Sequence, residues 1–165
     1  MRQRVPFDPY ALLEALERNR VSYVVVGAFA RVVHGTGEVT RGLDIAPSPR
    51  EDNLRRLAQA LNEFGRPDDT PLTVGAEPLS VDTSAGRVTV VPEPWGTRGY
   101  DDIRIRANRE NLGRGLRPQI ASTVDLVRML DASPRPEDAD RLQRLRRLME
   151  LERIRTRRRG LHFER

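Results

Sequence analysis

The chain has 165 residues, with 29 basic residues that are all arginine set against 24 acidic ones, for a formal charge of +5. That length suits one domain with a real core, and an aromatic share of 5% makes the core mainly aliphatic. Having no cysteine excludes disulfides, thiolate metal sites and a cysteine nucleophile, and the lack of a long apolar run or an apolar N-terminal segment points to a cytoplasmic protein with no membrane partner.

Asp8-Pro9 reads as a helix N-cap followed by proline in the first turn, with Leu12, Leu13 and Leu16 on one apolar face of a helix reaching about Asn19. Tyr23 to Val26 is a short β-branched run, as in a strand buried on both faces; Gly27 ends it, and a helix from about Ala28 to His34 follows. Thr40 to Ala46 reads as the next strand. Ser48-Pro49-Arg50-Glu51 has the pattern of a capping box, and Leu54, Leu57, Ala58, Leu61 and Phe64 continue it as an amphipathic helix that stops at Gly65. After a loop from Arg66 to Glu77, Leu79 to Thr83 and Arg87 to Val91 flank Ser84-Ala85-Gly86 as a hairpin. Ile103 to Ala107 and Leu116 to Ala121 are weaker strand candidates, and Ser122 caps a helix through Val124, Val127 and Leu130.

Beyond Pro134-Arg135-Pro136 a final helix is expected from near Glu137 to about Arg159, so that residues 1–133 form the main domain and 134–165 an Arg-rich helix and tail packed on it. Leu142, Leu145, Leu148, Leu151 and Ile154 recur every three residues, which recedes about 60° per step around a helix and cannot keep one stripe. Its early turns are expected to face the core, its later ones a partner or a second copy. The fold class that follows is α/β of the α+β kind, a mixed, mostly antiparallel sheet backed by helices with further helices at the C-terminus.

On the second strand, Leu43 and Ile45 take one face and Gly42 and Asp44 the other. A pair of carboxylates at such i, i+2 positions can hold a divalent metal together, but here glycine occupies the first position.

The stretch from Tyr23 to Ile45, with Phe7-Asp8-Pro9 before it, His34-Gly35 and Thr40 within it, and Gly86-Arg87-Val88, Gly96-Thr97-Arg98-Gly99-Tyr100, Arg135-Pro136 and Asp138 after it, resembles the nucleotidyltransferase superfamily. The likeness is to its small members, including toxins of the AbiEii and MenT type. It implies a minimal nucleotidyltransferase fold in which two carboxylates on one strand and a third on a neighbour hold two metals that bind a triphosphate. The chain departs from that pattern at Gly42 and at Thr89, and Leu130 stands where many relatives have lysine. Gly27-Ala28 keeps part of the phosphate-binding arrangement, a glycine for close approach and a helix N-terminus behind it, without the hydroxyl of a serine.

Asp44 has two readings, a residual catalytic metal or nucleotide ligand and a strand-end carboxylate paired with an arginine. Glu38 and Asp82 have no spacing that places them beside it. His34 reads as a carbonyl cap, His162 as part of the tail, and Trp95 as packing over the sheet. Arg153, Arg155, Arg157, Arg158 and Arg159 read either as a nucleic-acid arm or as a solvated helix end whose charge suits the helix dipole.

The leading expectation is a degenerate, non-catalytic member that needs no cofactor and binds RNA, DNA or a partner protein. The alternatives are an active nucleotidyltransferase using Mg2+ and a nucleoside triphosphate on a tRNA or protein acceptor, and an antitoxin or assembly subunit, including a homodimer, acting through its last helix.

Overall fold

The computed structural model describes residues 5–66 and 72–160; the middle of the expected 66–77 loop, His162 and the rest of the tail lie outside them. The first helix, α1 (Pro9–Arg18), begins where the Asp8 carboxylate accepts a hydrogen bond from the Ala11 N–H at 3.0 Å. Asp8 N–H in turn donates to the Ala85 carbonyl at 2.8 Å. Phe7 lies against Gly86, where an added Cβ would come within 2.7 Å of its ring. The two motif segments Phe7-Asp8-Pro9 and Gly86-Arg87-Val88 are therefore one joint, between the N-terminus and the hairpin turn.

Strand β1 (Tyr23–Val26) runs straight into α2 (Gly27–His34), which ends on Gly35 in the left-handed region. Next come β2 (Gly42–Pro47), α3 (Glu51–Asn62), β3 (Leu79–Thr83) and β4 (Gly86–Val90), then α4 (Tyr100–Ile103), β5 (Asn108–Arg109), β6 (Gln119–Ile120), α5 (Thr123–Asp131) and α6 (Asp138–Gly160). Among the described residues, six strands form one sheet in the order β3-β4-β2-β1-β6-β5. The β1–β2, β3–β4 and β5–β6 pairings are antiparallel and the β1–β6 and β2–β4 pairings parallel, so the sheet is mixed and mostly antiparallel, as expected.

The fully buried side chains of the central strands are aliphatic: Val24 and Val25 of β1, Leu43 and Ile45 of β2, Val88 and Val90 of β4. Leu12, Leu13 and Leu16 bring α1 onto this core, and α1 packs against α3. On α6 Leu145 is fully buried against a helix group made with α5, whereas every residue from Glu150 to Gly160 is exposed. No helix among the described residues is long and apolar enough to cross a membrane.

Four local expectations are corrected. The capping box at Ser48-Glu51 does not form: α3 starts after Arg50 with no side-chain cap. Ser48 is still part of the strand connection, its N–H donating to the Ser22 carbonyl at 2.9 Å. Buried Asn53 then ties α3 down, donating to the carbonyls of Ser22 and Ser48 at 2.9 Å each and accepting from the Ser22 N–H at 2.7 Å. The expected strand over Ile103 to Ala107 is instead the end of α4 and a turn, since Ile103 is fully buried while Ile105 is 77% exposed. The two isoleucines mimic an alternating strand without sharing a face. The strand expected over Leu116 to Ala121 contracts to β6. Finally, α5 is capped by Ser122 and runs through Val124, Val127 and Leu130 as expected, but of these three Val124 is half exposed, and Leu126 and Met129 are buried with Leu130 instead.

Candidate functional site

Strand alternation and register bring positions 42, 44 and 89 together. Asp44 pairs with Val26 across β1–β2 and with Thr89 across β2–β4, and Gly42 pairs with Arg87. Leu43 and Ile45 are buried on the opposite face, so Gly42 and Asp44 share the remaining one with Thr89 beside them. Gly27 sits at the junction of β1 and α2 with φ +68°, and a Cβ there would overlap the Asp44 carboxylate. Glycine is thus needed at 27 both for its backbone conformation and for the space the carboxylate occupies.

The three positions supply one carboxylate. Two-metal chemistry needs several anionic oxygens converging on the ions, and among the described residues no group of three histidine, aspartate or glutamate side chains is arranged to hold a metal. An aspartate at position 42 would not simply restore the pair. A Cβ built on Gly42 falls 2.8 Å from the Arg87 carbonyl oxygen, so β2 and β4 would have to move to admit it.

Burial pushes the Asp44 carboxyl above the ordinary carboxylate range; the charge of Arg31, hydrogen bonding from Thr89 and the charge of Arg135 pull it back without cancelling the effect of burial. A folded-state value raised above the unfolded one means that ionising Asp44 costs folding stability. Asp44→Asn is therefore expected to stabilise the fold at neutral pH by about 1 kcal/mol. The gain should vanish as pH falls through the raised value to the ordinary one; urea unfolding across that range checks it, and a loss of stability at neutral pH would contradict it.

Asp44 and Thr89 border a cavity of about 430 Å³ between the sheet, α5 and the start of α6. Its apolar wall includes Val26, Val91, Leu126, Met129 and Leu130, and Trp95 stands at its side, 43% exposed. Its charged lining is Arg31 and Arg135 against Asp44, Glu77, Glu93 and Asp138. Both cations are already engaged. Arg31 donates to both Glu38 oxygens, at 2.8 and 3.0 Å, and Thr36 donates to the same carboxylate at 2.8 Å. Arg135 donates to Asp138 at 3.0 Å and lies over the Trp95 ring, 4.9 Å from its centre. Arg141 joins the two pairs, donating to Asp138 at 2.7 Å and standing 3.8 Å from Glu38.

Burial works against ionised Glu38 and Asp138, yet both carboxyls are held below the ordinary range. For Glu38 the opposing pull comes from Arg31, Thr36 and Arg141; for Asp138 it comes from Ser133, Arg141 and Arg135. The cavity wall is thus a chain of neutralised ion pairs rather than a cluster of free positive charge.

Of the remaining predicted residues, Asp82 lines a second cavity of about 590 Å³ that Gly42, Asp44 and Thr89 also border, with Arg41 and Arg87 in its wall, and the others fall elsewhere. Ala28 lies in the first turn of α2 next to Gly27. His34 Nε2 donates to the Ala121 carbonyl at 2.8 Å, tying α2 to the segment after β6. Asp82 pairs with Arg87 at 2.8 Å. Arg153, Arg155, Arg157, Arg158 and Arg159 are on the exposed end of α6 and share no cavity with Asp44. Leu151 and Ile154 are 56% and 44% exposed on the same segment. The linked pairs around Arg31 and Asp138 were missed by sequence reasoning, which had Arg135 and Asp138 only as motif positions. Arg31 and Glu38 are seven residues apart across the Gly35–Gly37 turn, a spacing that carries no signal of contact.

No protein-family model matches the chain, and no curated protein matches it.

Proposed function

We propose that the chain is a nucleotidyltransferase-type scaffold without metal-dependent transfer, and that it binds the phosphate backbone of nucleic acid through the exposed end of α6. The single observation that carries the binding half is the segment from Glu150 to Gly160. It is solvent-exposed throughout, and Arg153, Arg155, Arg157, Arg158 and Arg159 make no ion pair among the described residues. Unpaired guanidiniums displace counterions from phosphate without first breaking an internal bond.

The absence of transfer is supported by the lone carboxylate at Asp44 and by cavity cations already held by Glu38 and Asp138. In the cavity walled by Arg31 and Arg135 a triphosphate meets no cation that is free of a carboxylate. Calorimetric titration with each nucleoside triphosphate and Mg2+ or Mn2+ addresses this half, and Asp44-dependent incorporation of labelled nucleotide would overturn it.

For the arm, replacing Arg155, Arg157, Arg158 and Arg159 with glutamine preserves helix propensity and removes four charges. Binding to single-stranded RNA is expected to weaken, with the log–log salt slope falling by roughly 3. Unchanged affinity and slope would sink the reading. The exposure of Leu151 and Ile154 favours one competing outcome: a dimer that falls apart when both become glutamine, in protein that binds no nucleic acid, would assign the arm to a second copy.

A further inference from the structure

At the other end of β1 from Gly27, around Tyr23, lies a separate cavity of about 290 Å³ that shares no lining residue with the one beside Asp44. It is bounded by the end of α1, the start of β1, α4 and the β5–β6 connection. Three arginines line it: Arg20, Arg109 and Arg117. Arg109 donates to the Arg117 carbonyl at 3.1 Å, and none of the three is paired with a carboxylate among the described residues. Glu17 is the one acidic side chain in the wall. The mouth therefore keeps a positive excess on groups whose planar forks match phosphate.

Two further observations point to a ligand. The Gln119 Oε1 is buried with no hydrogen-bond partner, although Gln119 lines the cavity. A buried acceptor left empty costs free energy, and because the Gln119 side chain as a whole is only partly buried, a turn of its amide toward the cavity would let a ligand O–H or N–H satisfy it. Arg20 is one of two non-glycine residues with positive φ among those described, at 55°. It follows the α1 C-cap Asn19, and the pattern of Arg20 N–H to Glu17 carbonyl and Val21 N–H to Leu16 carbonyl, 2.9 and 3.0 Å, is the closure that glycine normally provides. An arginine held there in a disfavoured conformation lines the cavity where glycine would bring no side chain.

We infer that this cavity binds a small phosphate monoester that also carries hydroxyl groups, of about the size of a pentose phosphate. The arginines hold the phosphate, and Gln119 accepts from a hydroxyl. Size is consistent, since the volume sits near the lower end of the range of about 300–1,000 Å³ for small-molecule sites. Burial, and then the charge of Glu17, hold the Tyr23 phenol far above its ordinary value despite Arg109, so it stays a neutral donor beside the anion.

A free sugar phosphate and the 5′-phosphorylated end of a nucleic acid present the same chemistry. The test is calorimetry on the whole chain with ribose 5-phosphate, ribose, inorganic phosphate and a short 5′-phosphorylated oligonucleotide alongside its unphosphorylated counterpart. Saturable binding of ribose 5-phosphate, stronger than phosphate alone and lost without the phosphoryl group, is expected; an oligonucleotide bound more tightly with its 5′-phosphate than without it, by a margin that disappears when Arg109 and Arg117 are replaced, would support the site while naming its source as a nucleic-acid end. Arg109→Gln with Arg117→Gln should reduce affinity at least tenfold, and Asp44→Asn should leave it unchanged. Arg20→Gly should raise the melting midpoint while weakening binding, a split that a purely structural role for Arg20 would not give. Failure of every phosphate ester to bind, or binding indifferent to the arginine substitutions, would overturn the inference. Neither result depends on the α6 arm or on transfer activity.

Discussion

Replacing Arg31 with alanine is expected to destabilise the fold by about 3–5 kcal/mol, the largest loss for any residue in the linked ion pairs. Arg31 is 6% exposed and spends its charge on Glu38, whose side chain is itself 10% exposed. Truncation leaves that carboxylate buried with the Thr36 hydroxyl and with Arg141 at 3.8 Å, too little to offset its lost hydration. Substituting both partners, as Arg31→Met with Glu38→Leu, should recover most of the loss because no charge is then stranded. Urea unfolding of the single and double variants measures both quantities, and a single-variant loss below about 1 kcal/mol would contradict the argument.

The acid limb of the stability curve gives a second readout. Glu38 titrates below its unfolded value, so its stabilising contribution is present above the ordinary carboxylate range and lost as pH falls through the depressed value. The double variant should lack that part of the acid decline. Arg31 is also the leading charge that lowers Asp44 against burial, so its loss should raise the Asp44 carboxyl further.

Where one physical cause dominates a segment, the sequence is a sufficient guide. Asp8-Pro9 caps α1 because the bond to Ala11 is local, and Tyr23–Val26 forms a central strand because β-branched residues are buried there on both faces. The shared face of Gly42 and Asp44 follows from alternation alone. Legibility fails where distant residues compete for a backbone group. Ser48 does not cap α3 because its backbone, bonded to Ser22 and Asn53, holds it in the strand connection two residues ahead of the N-cap Arg50, and nothing in Ser48-Pro49-Arg50-Glu51 records those partners. Ile103 and Ile105 show the same limit, since a one-turn helix started at Gly99 separates their environments. The site was half legible for a related reason. Its missing carboxylates are visible as Gly42 and Thr89, but the linkage of Arg31, Glu38, Arg141, Asp138 and Arg135 exists only after α6 folds back beside α2. The drift of the α6 leucines pointed its early turns at the core, and Leu145 is fully buried there, while Leu151 in the later turns is exposed.

Asp138→Ala is the second large effect, at about 2–3 kcal/mol. The Asp138 side chain is 2% exposed and gathers three donors, Ser133 at 2.5 Å, Arg135 at 3.0 Å and Arg141 at 2.7 Å, where the chain turns from α5 into α6. The cost falls below that of Arg31→Ala because the stranded groups are different. Arg135 and Arg141 are 51% and 37% exposed and can regain water, whereas Glu38 cannot. Asp138 also titrates below its unfolded value, so the wild-type advantage over the alanine variant should shrink as pH falls through that value. Trp95, the one tryptophan, reports the change directly. With Asp138 gone, Arg135 loses the bond that holds it over the indole, and the ring meets more water, so emission in the folded state should shift to the red. Unaltered emission together with unaltered stability would mean that the junction is held by the packing of Leu145 and its neighbours rather than by the carboxylate.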